Sequence, residues 1–132
     1  MTTDRIQIRT QNDIIMARKF VKDLTIKLGF GMTDQTKIVT AASELARNTL
    51  EYGLGGELVT EIIENDSGRK GIRLSFTDEG PGIADLNLAL TDRYTSGSGM
   101  GLGLSGSRRL MSEFTIDSVV GKGTRVIVIK WK

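Results

Sequence analysis

The hexapeptide Asp78-Glu79-Gly80-Pro81-Gly82-Ile83 follows directly on a segment, residues 71–77, whose apolar residues alternate as in a β-strand. A carboxylate at the end of a strand, here Asp78, can accept a hydrogen bond from the amino group of an adenine ring. Gly80 and Gly82 have no Cβ atom, so the backbone can approach a flat base closely. Asp, Gly and Pro are also common turn residues. The hexapeptide therefore predicts either one wall of a nucleotide site or an ordinary turn.

Upstream of this loop, the segment Glu44-Leu45-Ala46-Arg47-Asn48 lies within a predicted helix over residues 33–52. Glu44 and Asn48 are one helical turn apart, so they share a face, which lies beside the apolar stripe of the helix. An acid and an amide at this spacing can place a general base and an oxygen ligand for Mg²⁺ in one cleft. The alternative is a solvent-exposed face on which Glu44 pairs with Arg47 and Asn48 is merely hydrated.

Downstream of the hexapeptide, closely spaced glycines precede a helix that is predicted from about Leu102 to Glu113. Backbone N–H groups at such glycines, together with the helix dipole, attract phosphate groups. The glycines concerned are Gly97, Gly99, Gly101 and Gly103. A flexible linker is the alternative, but helical spacing of apolar residues resumes at once. Residues 101–106 also match the pattern G-x-G-x-x-G, yet a dinucleotide fold is not predicted because no strand precedes them and no βαβ unit contains them.

The spacing of apolar residues predicts the element order β-α-α-β-β-loop-α-β-β. The first helix is expected over Gln11–Leu28 with Asn12 or Asp13 as its cap, and Thr33 is expected to cap the second helix. Because helices and hairpins are separated along the chain, we predict an α+β fold: a two-layer α/β sandwich with a mixed β-sheet. Residues 1–132 are predicted to form a single domain.

The composition excludes several classes of function. The absence of His and Cys removes Ser-His-Asp triads, phosphohistidine intermediates and zinc sites built on thiolate or imidazole. The formal net charge is only +2 and the charges are interspersed, so nucleic-acid binding is not expected. No signal peptide is recognisable at the N-terminus, and no stretch approaches the ~18 apolar residues of a membrane span. We therefore expect a cytoplasmic protein that binds neither nucleic acid nor membrane.

Taken together and in this order, the motifs resemble the boxes of the GHKL superfamily, which comprises gyrase, Hsp90, histidine kinase and MutL ATPases. Glu44–Asn48 resembles its N box, and Asp78–Gly82 and Gly97–Gly103 resemble its two glycine boxes. The turn Gly121-Lys122-Gly123-Thr124 is similar to its late Gly-x-Gly-Thr element. Within the superfamily, the chain resembles the anti-sigma-factor serine kinases, and more narrowly the switch kinases of the bacterial stressosome, over nearly its whole length.

The resemblance implies a histidine-kinase-type ATPase fold and an ATP-dependent serine/threonine protein kinase that uses ATP and Mg²⁺. It implies that Asp78 binds the adenine amino group with the assistance of Thr124. It further implies that Asn48 holds Mg²⁺ and that Glu44 acts as the base toward a serine hydroxyl group. The nucleotide would also contact the glycines of the two boxes, which are Gly80, Gly82, Gly97, Gly99, Gly101 and Gly103.

The resemblance also implies partners. The expected substrate is a STAS-domain antagonist phosphorylated on serine or threonine, and the released kinase would activate a PP2C-type phosphatase. Residues 84–97 would form a short lid that nucleotide orders. Two alternatives stay open: a kinase of the same fold that binds a sigma factor directly, and a nucleotide-dependent binding module that transfers no phosphate. No motif fixes the basic residue beside the γ-phosphate, for which the candidates are Arg47, Arg93, Arg108 and Arg109.

Overall fold

The computed structural model describes residues 3–84 and 103–132 of the chain. Within these residues the helices and strands follow one another in the order that the apolar spacings predict. In chain order they are β1 (Thr3–Ile8), α1 (Gln11–Lys27), α2 (Met32–Glu51), β2 (Gly56–Glu64), β3 (Lys70–Asp78), α3 (Gly103–Leu110), β4 (Glu113–Val119) and β5 (Gly123–Trp131). The prediction of an α+β fold is confirmed.

The five strands form one sheet in the order β1-β2-β3-β5-β4, and every pairing in it is antiparallel. The prediction of a mixed sheet was therefore wrong for the described part of the chain. The strands β3 and β4, which flank α3 in the sequence, do run parallel to each other. They do not pair, because β5 lies between them and is antiparallel to both.

One face of the sheet packs against the helices and forms the core. Side chains alternate between the two faces of a strand, so every second residue of β2, β3 and β5 points into this core. The buried residues on this face are Leu58, Thr60, Ile72, Leu74, Phe76, Val126 and Val128. The opposite face carries cross-strand ion pairs, such as the two-point contact of Arg73 with Glu61 at 2.9 Å. The result is the predicted two-layer sandwich, with helices on one side and charged side chains on the other.

The caps of the helices differ from those expected. Thr10 is the N-cap of α1 and forms a capping box with Asp13, whereas the sequence predicted Asn12 or Asp13 as the cap. The backbone N–H of Asp13 donates to Thr10 Oγ1 at 3.2 Å, and the Asp13 carboxylate accepts from the Thr10 backbone N–H at 3.0 Å. Thr33 does not cap α2, because that helix begins at Met32 and its N-cap is Gly31, which has no side chain to offer. In the described segments, no helix combines the length and apolarity that crossing a membrane requires.

Candidate functional site

Asp78 lies at the C-terminal end of β3, opposite Gly56 of β2. It follows the buried Phe76 by two positions, so its side chain points to the helix side of the sheet. One carboxylate oxygen accepts hydrogen bonds from the backbone N–H groups of Gly80 at 2.9 Å and Thr124 at 3.2 Å. Burial raises the pKa of this carboxyl group, and the two N–H donors oppose the rise. The carboxylate is thus held in place by the loop after β3 and by the start of β5, while its other oxygen can accept a hydrogen bond from a ligand.

Two glycines bring the α2–β2 connection against this carboxylate. A Cβ atom at Gly53 would collide with the carboxyl group of Asp78, and one at Gly80 would lie 2.7 Å from the Gly53 Cα atom. Contacts this short do not occur for real side chains, so both positions need glycine for steric reasons. The sequence predicted that Gly80 lets the backbone approach a flat base; the close neighbour of Gly80 in the structure is the backbone of Gly53. Gly53 was missed, because it reads in the sequence simply as the end of a helix.

A hydrogen-bonded group joins the predicted first glycine box to the β4–β5 hairpin. Ser118 of β4 accepts a hydrogen bond from the backbone N–H of Ile83 at 2.7 Å, and its hydroxyl group lies 2.8 Å from that of Thr124. Gly82 has a φ of 76°, and a Cβ atom there would strike the carbonyl group of Val119. The predicted residues Asp78, Gly80, Gly82 and Thr124 therefore come together at one edge of the sheet. Ser118 was not predicted, since a single serine in a strand carries no sequence signal.

Helix α2 presents Glu44 and Asn48 on one face, as their spacing predicts. Glu44 is half-exposed and accepts a hydrogen bond from Arg47 at 3.3 Å, which is the ion pair that the alternative interpretation of this segment anticipated. The side-chain nitrogen of Asn48 is buried and finds no hydrogen-bond partner within residues 3–84 and 103–132. Buried polar atoms in native proteins are nearly always paired, so this amide is suited to a bound group.

Tyr52 connects the helix to the glycine loop. It lies one helical turn after Asn48 and two turns after Glu44, so all three residues share a face. Its hydroxyl group donates a hydrogen bond to the carbonyl oxygen of Gly82 at 2.8 Å. Tyr52 was not predicted as a residue of the site. Its spacing from Asn48 was the signal that could have marked it.

Several predicted residues lie outside the described part of the chain. These are Gly97, Gly99, Gly101 and the candidate cation Arg93, together with most of the expected lid. Gly103 is the first residue of α3, so a helix does begin where the second glycine box ends. Arg108 and Arg109 lie in the last turn of α3, at the opposite end from the predicted phosphate contacts. The described residues contain no group of three or more carboxylates that would hold a metal ion without help from a ligand.

The chain matches the family model of histidine kinase-, DNA gyrase B- and HSP90-like ATPases over residues 33–132. The chain belongs to this ATPase family. The match includes the α2 segment, the hexapeptide after β3 and the β4–β5 hairpin, which are the parts of the chain that the site brings together. Use of ATP follows from membership of this family, and the GHKL resemblance is confirmed.

The chain is similar to two relatives and to one solved structure. The chain is 42% identical to the serine/threonine-protein kinase RsbT of Bacillus subtilis (strain 168) over 126 residues, covering 96% of this chain and 94% of that protein. It is 30% identical to an anti-sigma F factor of Clostridium novyi (strain NT) over 131 residues, covering 92% and 87%. The prediction of an ATP-dependent serine/threonine protein kinase is confirmed by the first of these relatives.

The solved structure contains the RsbU and RsbW domains of Rv1364c from Mycobacterium tuberculosis. It matches all of this chain with a TM-score of 0.66 at 19% identity, and this chain spans 33% of its length. At this identity the likeness concerns the fold alone. It agrees with the two-layer arrangement of helices on an antiparallel sheet.

Proposed function

We propose that this protein is a partner-switching kinase that transfers the γ-phosphate of ATP to a serine or threonine of a STAS-domain antagonist in a bacterial stress response. In this proposal the kinase acts in the cytoplasm within a stressosome pathway, and once released from its substrate it activates a PP2C-type phosphatase. The observation that carries the proposal is the shared face of α2. There a half-exposed carboxylate, Glu44, lies one turn from Asn48, whose buried amide nitrogen has no hydrogen-bond partner among the described residues. Asn48 in turn lies one turn from Tyr52, which anchors Gly82.

The adenine end of the site fits the residues at the end of β3. Asp78 has one oxygen engaged by two backbone N–H groups, which leaves its other oxygen to accept from an adenine amino group. Gly53 packs directly against this carboxyl group and against Gly80, so no side chain stands between Asp78 and the α2–β2 connection. The Thr124 hydroxyl group, held by Ser118, is a second polar group at this end. We assign recognition of the adenine amino group to Asp78 and Thr124. The backbone at Gly80 and Gly82 would lie close to the adenine ring.

The phosphate end is assigned to Asn48 and the second glycine box. An amide oxygen is a ligand that Mg²⁺ accepts, and one protein oxygen is enough where phosphates and waters complete the coordination. A Mg²⁺ ion held by Asn48 would supply positive charge that offsets the negative charge of the phosphates. Gly97, Gly99, Gly101 and Gly103 would donate backbone N–H groups to the phosphates, and the start of α3 at Gly103 gives them the favourable end of a helix dipole.

Glu44 is the group we assign as the general base. Its carboxylate is half-exposed and therefore accessible to a hydroxyl group from a second protein. It would accept the proton of the substrate serine as the serine oxygen bonds to the γ-phosphorus and ADP leaves. A positioned base typically contributes about 10²- to 10⁴-fold to such a step, and positioning and charge neutralisation supply the rest. Arg47, three residues further along α2, donates a hydrogen bond to this carboxylate at 3.3 Å.

The RsbT relative supports the kinase form of this proposal, since its similarity extends over almost the full length of both chains. The similarity to an anti-sigma F factor supports a second candidate, a kinase that binds a sigma factor directly. A third candidate, a nucleotide-dependent switch that transfers no phosphate, would have no use for a base at position 44. Light scattering separates the first two candidates, because a stable dimer in the presence of nucleotide would favour the sigma-binding form.

The test of the proposal uses purified protein, γ-labelled ATP, Mg²⁺ and a STAS-domain protein from the same genome. We expect label on a serine or threonine of the STAS-domain protein. Glu44→Ala should reduce transfer by about 10²- to 10⁴-fold while ATP binding, measured by calorimetry, stays the same. Glu51→Ala, an exposed carboxylate near the end of the same helix, is the matched control and should transfer normally.

The same experiment can contradict the proposal. Absence of label despite measured binding of Mg·ATP would exclude this substrate class and favour the sigma-binding or switch candidates. If Glu44→Ala and the wild-type protein transfer phosphate equally well, the protein is a kinase but Glu44 is not its general base.

A further inference from the structure

A groove of about 650 Å³ runs along the outer surface between α1 and α2. It lies on the helix layer, and its α2 side ends at Arg47 and at Glu44, the proposed base. A volume of this size accommodates a short peptide segment or one turn of a helix. The groove is therefore continuous with the position from which a serine of a partner protein would reach Glu44.

The charge of the groove is strongly one-sided. Among the described residues, four basic side chains line it and Glu44 is the one carboxylate. The basic residues are Arg18, Lys19 and Lys22 of α1 and Arg47 of α2. The whole chain carries a formal charge of only +2, so this concentration of positive charge is local. Such a groove favours an occupant with several carboxylates.

The floor of the groove is apolar and contains one unused polar atom. Ile14 and Val39 are buried in its floor, and Ile15 stands at its edge with 64% of its surface exposed. The hydroxyl oxygen of Ser43 is buried and has no hydrogen-bond partner within residues 3–84 and 103–132. A partner that fills the groove can cover the exposed isoleucine. An apolar floor with polar and charged walls is typical of a protein interface.

We propose that this groove docks the protein substrate of the kinase through an acidic segment next to the phosphorylated hydroxyl group. The inference rests on the proposed function, because the assignment of Glu44 as base decides which end of the groove receives the acceptor hydroxyl group. Carboxylates of the segment pair with Arg18 and Lys22, and its apolar residues cover Ile15. Binding in this register delivers the acceptor hydroxyl group to the Glu44 end of the groove.

A protein occupant fits this surface better than an anionic membrane does. The surface is concave and lies between two helices, whereas a bilayer contacts convex or flat surfaces. Glu44 at the end of the groove would repel lipid phosphates but has a use in contact with a hydroxyl group. The experiment also measures binding to a membrane.

The experiment compares charge reversals inside and outside the groove. Lys22→Glu and Arg18→Glu reverse exposed charges in it, and Lys27→Glu makes the same charge change on the same helix beyond it. Binding of a purified STAS-domain protein from the same genome is measured by calorimetry at low and high salt, separately from ATP binding and label transfer. We expect each groove variant to bind about tenfold more weakly than the wild-type protein, and Lys27→Glu to bind normally. Wild-type affinity should fall as salt is added.

The outcomes separate this inference from the proposed function. Weaker partner binding by the two groove variants alone supports the groove, whether or not phosphate is transferred. Equal binding by all variants would contradict docking of the substrate in the groove. Label transfer in the same samples would still support the kinase activity. If the wild-type protein does not bind the STAS-domain protein, the assigned occupant is wrong. Binding to vesicles of equal parts phosphatidylserine and phosphatidylcholine that is lost in both groove variants would replace the protein partner with a membrane.

Discussion

At the scale of single residues, the hydroxyl group of Tyr52 has a consequence for the whole site. It fixes the carbonyl group of Gly82 to the helix that carries Glu44 and Asn48. The loop assigned to adenine and the helix assigned to Mg²⁺ and the base are therefore joined by one hydrogen bond of 2.8 Å. Tyr52 acts here as a positioning residue, because the bond goes to the backbone of the loop.

Removal of this hydroxyl group should affect binding of ATP more than the transfer step. A neutral hydrogen bond contributes a net 0.5–1.5 kcal/mol or so, and its loss leaves the loop less well placed for the nucleotide. We expect Tyr52→Phe to raise the Kd and KM for ATP about two- to tenfold with little change in kcat. Calorimetry and steady-state kinetics would check this. An unchanged Kd with a reduced kcat would instead place Tyr52 in the chemical step.

At the scale of the element, α1 and α2 begin in different ways. The capping box of Thr10 and Asp13 pairs backbone N–H groups that would otherwise be free at the start of α1. The hydrogen bond from the backbone N–H of Arg9 lowers the pKa of Asp13, as expected for a carboxylate that is stabilised by backbone donors. Helix α2 begins at a glycine and has no side-chain cap. The cap therefore stabilises α1, which also forms one side of the groove.

Substitution of the caps should reveal this difference. We expect Thr10→Ala to lower the free energy of unfolding by about 1 kcal/mol, since an N-cap side chain typically contributes this much. Thr33→Ala should have little effect, because Thr33 lies within α2 and does not cap it. Urea unfolding followed by circular dichroism measures both variants. Equal losses of stability would contradict the assignment of the two caps.

At the scale of the whole molecule, the partly buried carboxyl group of Asp78 lowers the stability of the folded state at neutral pH. Its pKa is raised by burial, so the folded state holds the protonated form more tightly than the unfolded state does. This contribution to stability is complete below the unfolded pKa and is lost as pH rises through the folded pKa. At neutral pH the ionised, partly desolvated carboxylate is therefore less favourable than a neutral side chain of the same shape. This loss of stability occurs at the residue that we propose as the acceptor for the adenine amino group.

Asp78→Asn should consequently stabilise the protein and abolish ATP binding. The amide oxygen can keep the bonds from Gly80 and Thr124, but the NH₂ group repels the adenine amino group. We expect a higher Tm than wild type at neutral pH, a weaker dependence of Tm on pH above about 4, and no rise of Tm with Mg·ATP. Asp66→Asn, in the exposed β2–β3 turn, is the control for the change of charge. A lower Tm in Asp78→Asn would contradict the cost assigned to the carboxylate.

Many features of the structure depend on residues close together in the chain, and these features could be predicted from the sequence. The order of helices and strands follows from apolar spacing, and the shared face of Glu44 and Asn48 follows from a separation of one helical turn. The order of the glycine motifs indicated the ATPase family, which the match over residues 33–132 confirms. The cap of α1 was missed although it is local, because Thr10, Asn12 and Asp13 are all good capping residues and only backbone geometry selects one.

What the sequence by itself determined is therefore the set of elements, the order of the motifs and the residues with the right chemistry. The tertiary structure decided which of them meet. It placed β5 between β3 and β4, and so made the sheet antiparallel. It brought Tyr52 to Gly82 across 30 positions and Asp78 to Thr124 across 46. These contacts depend on how sheet and helices pack, and spacing along a chain carries no information about pairs so far apart.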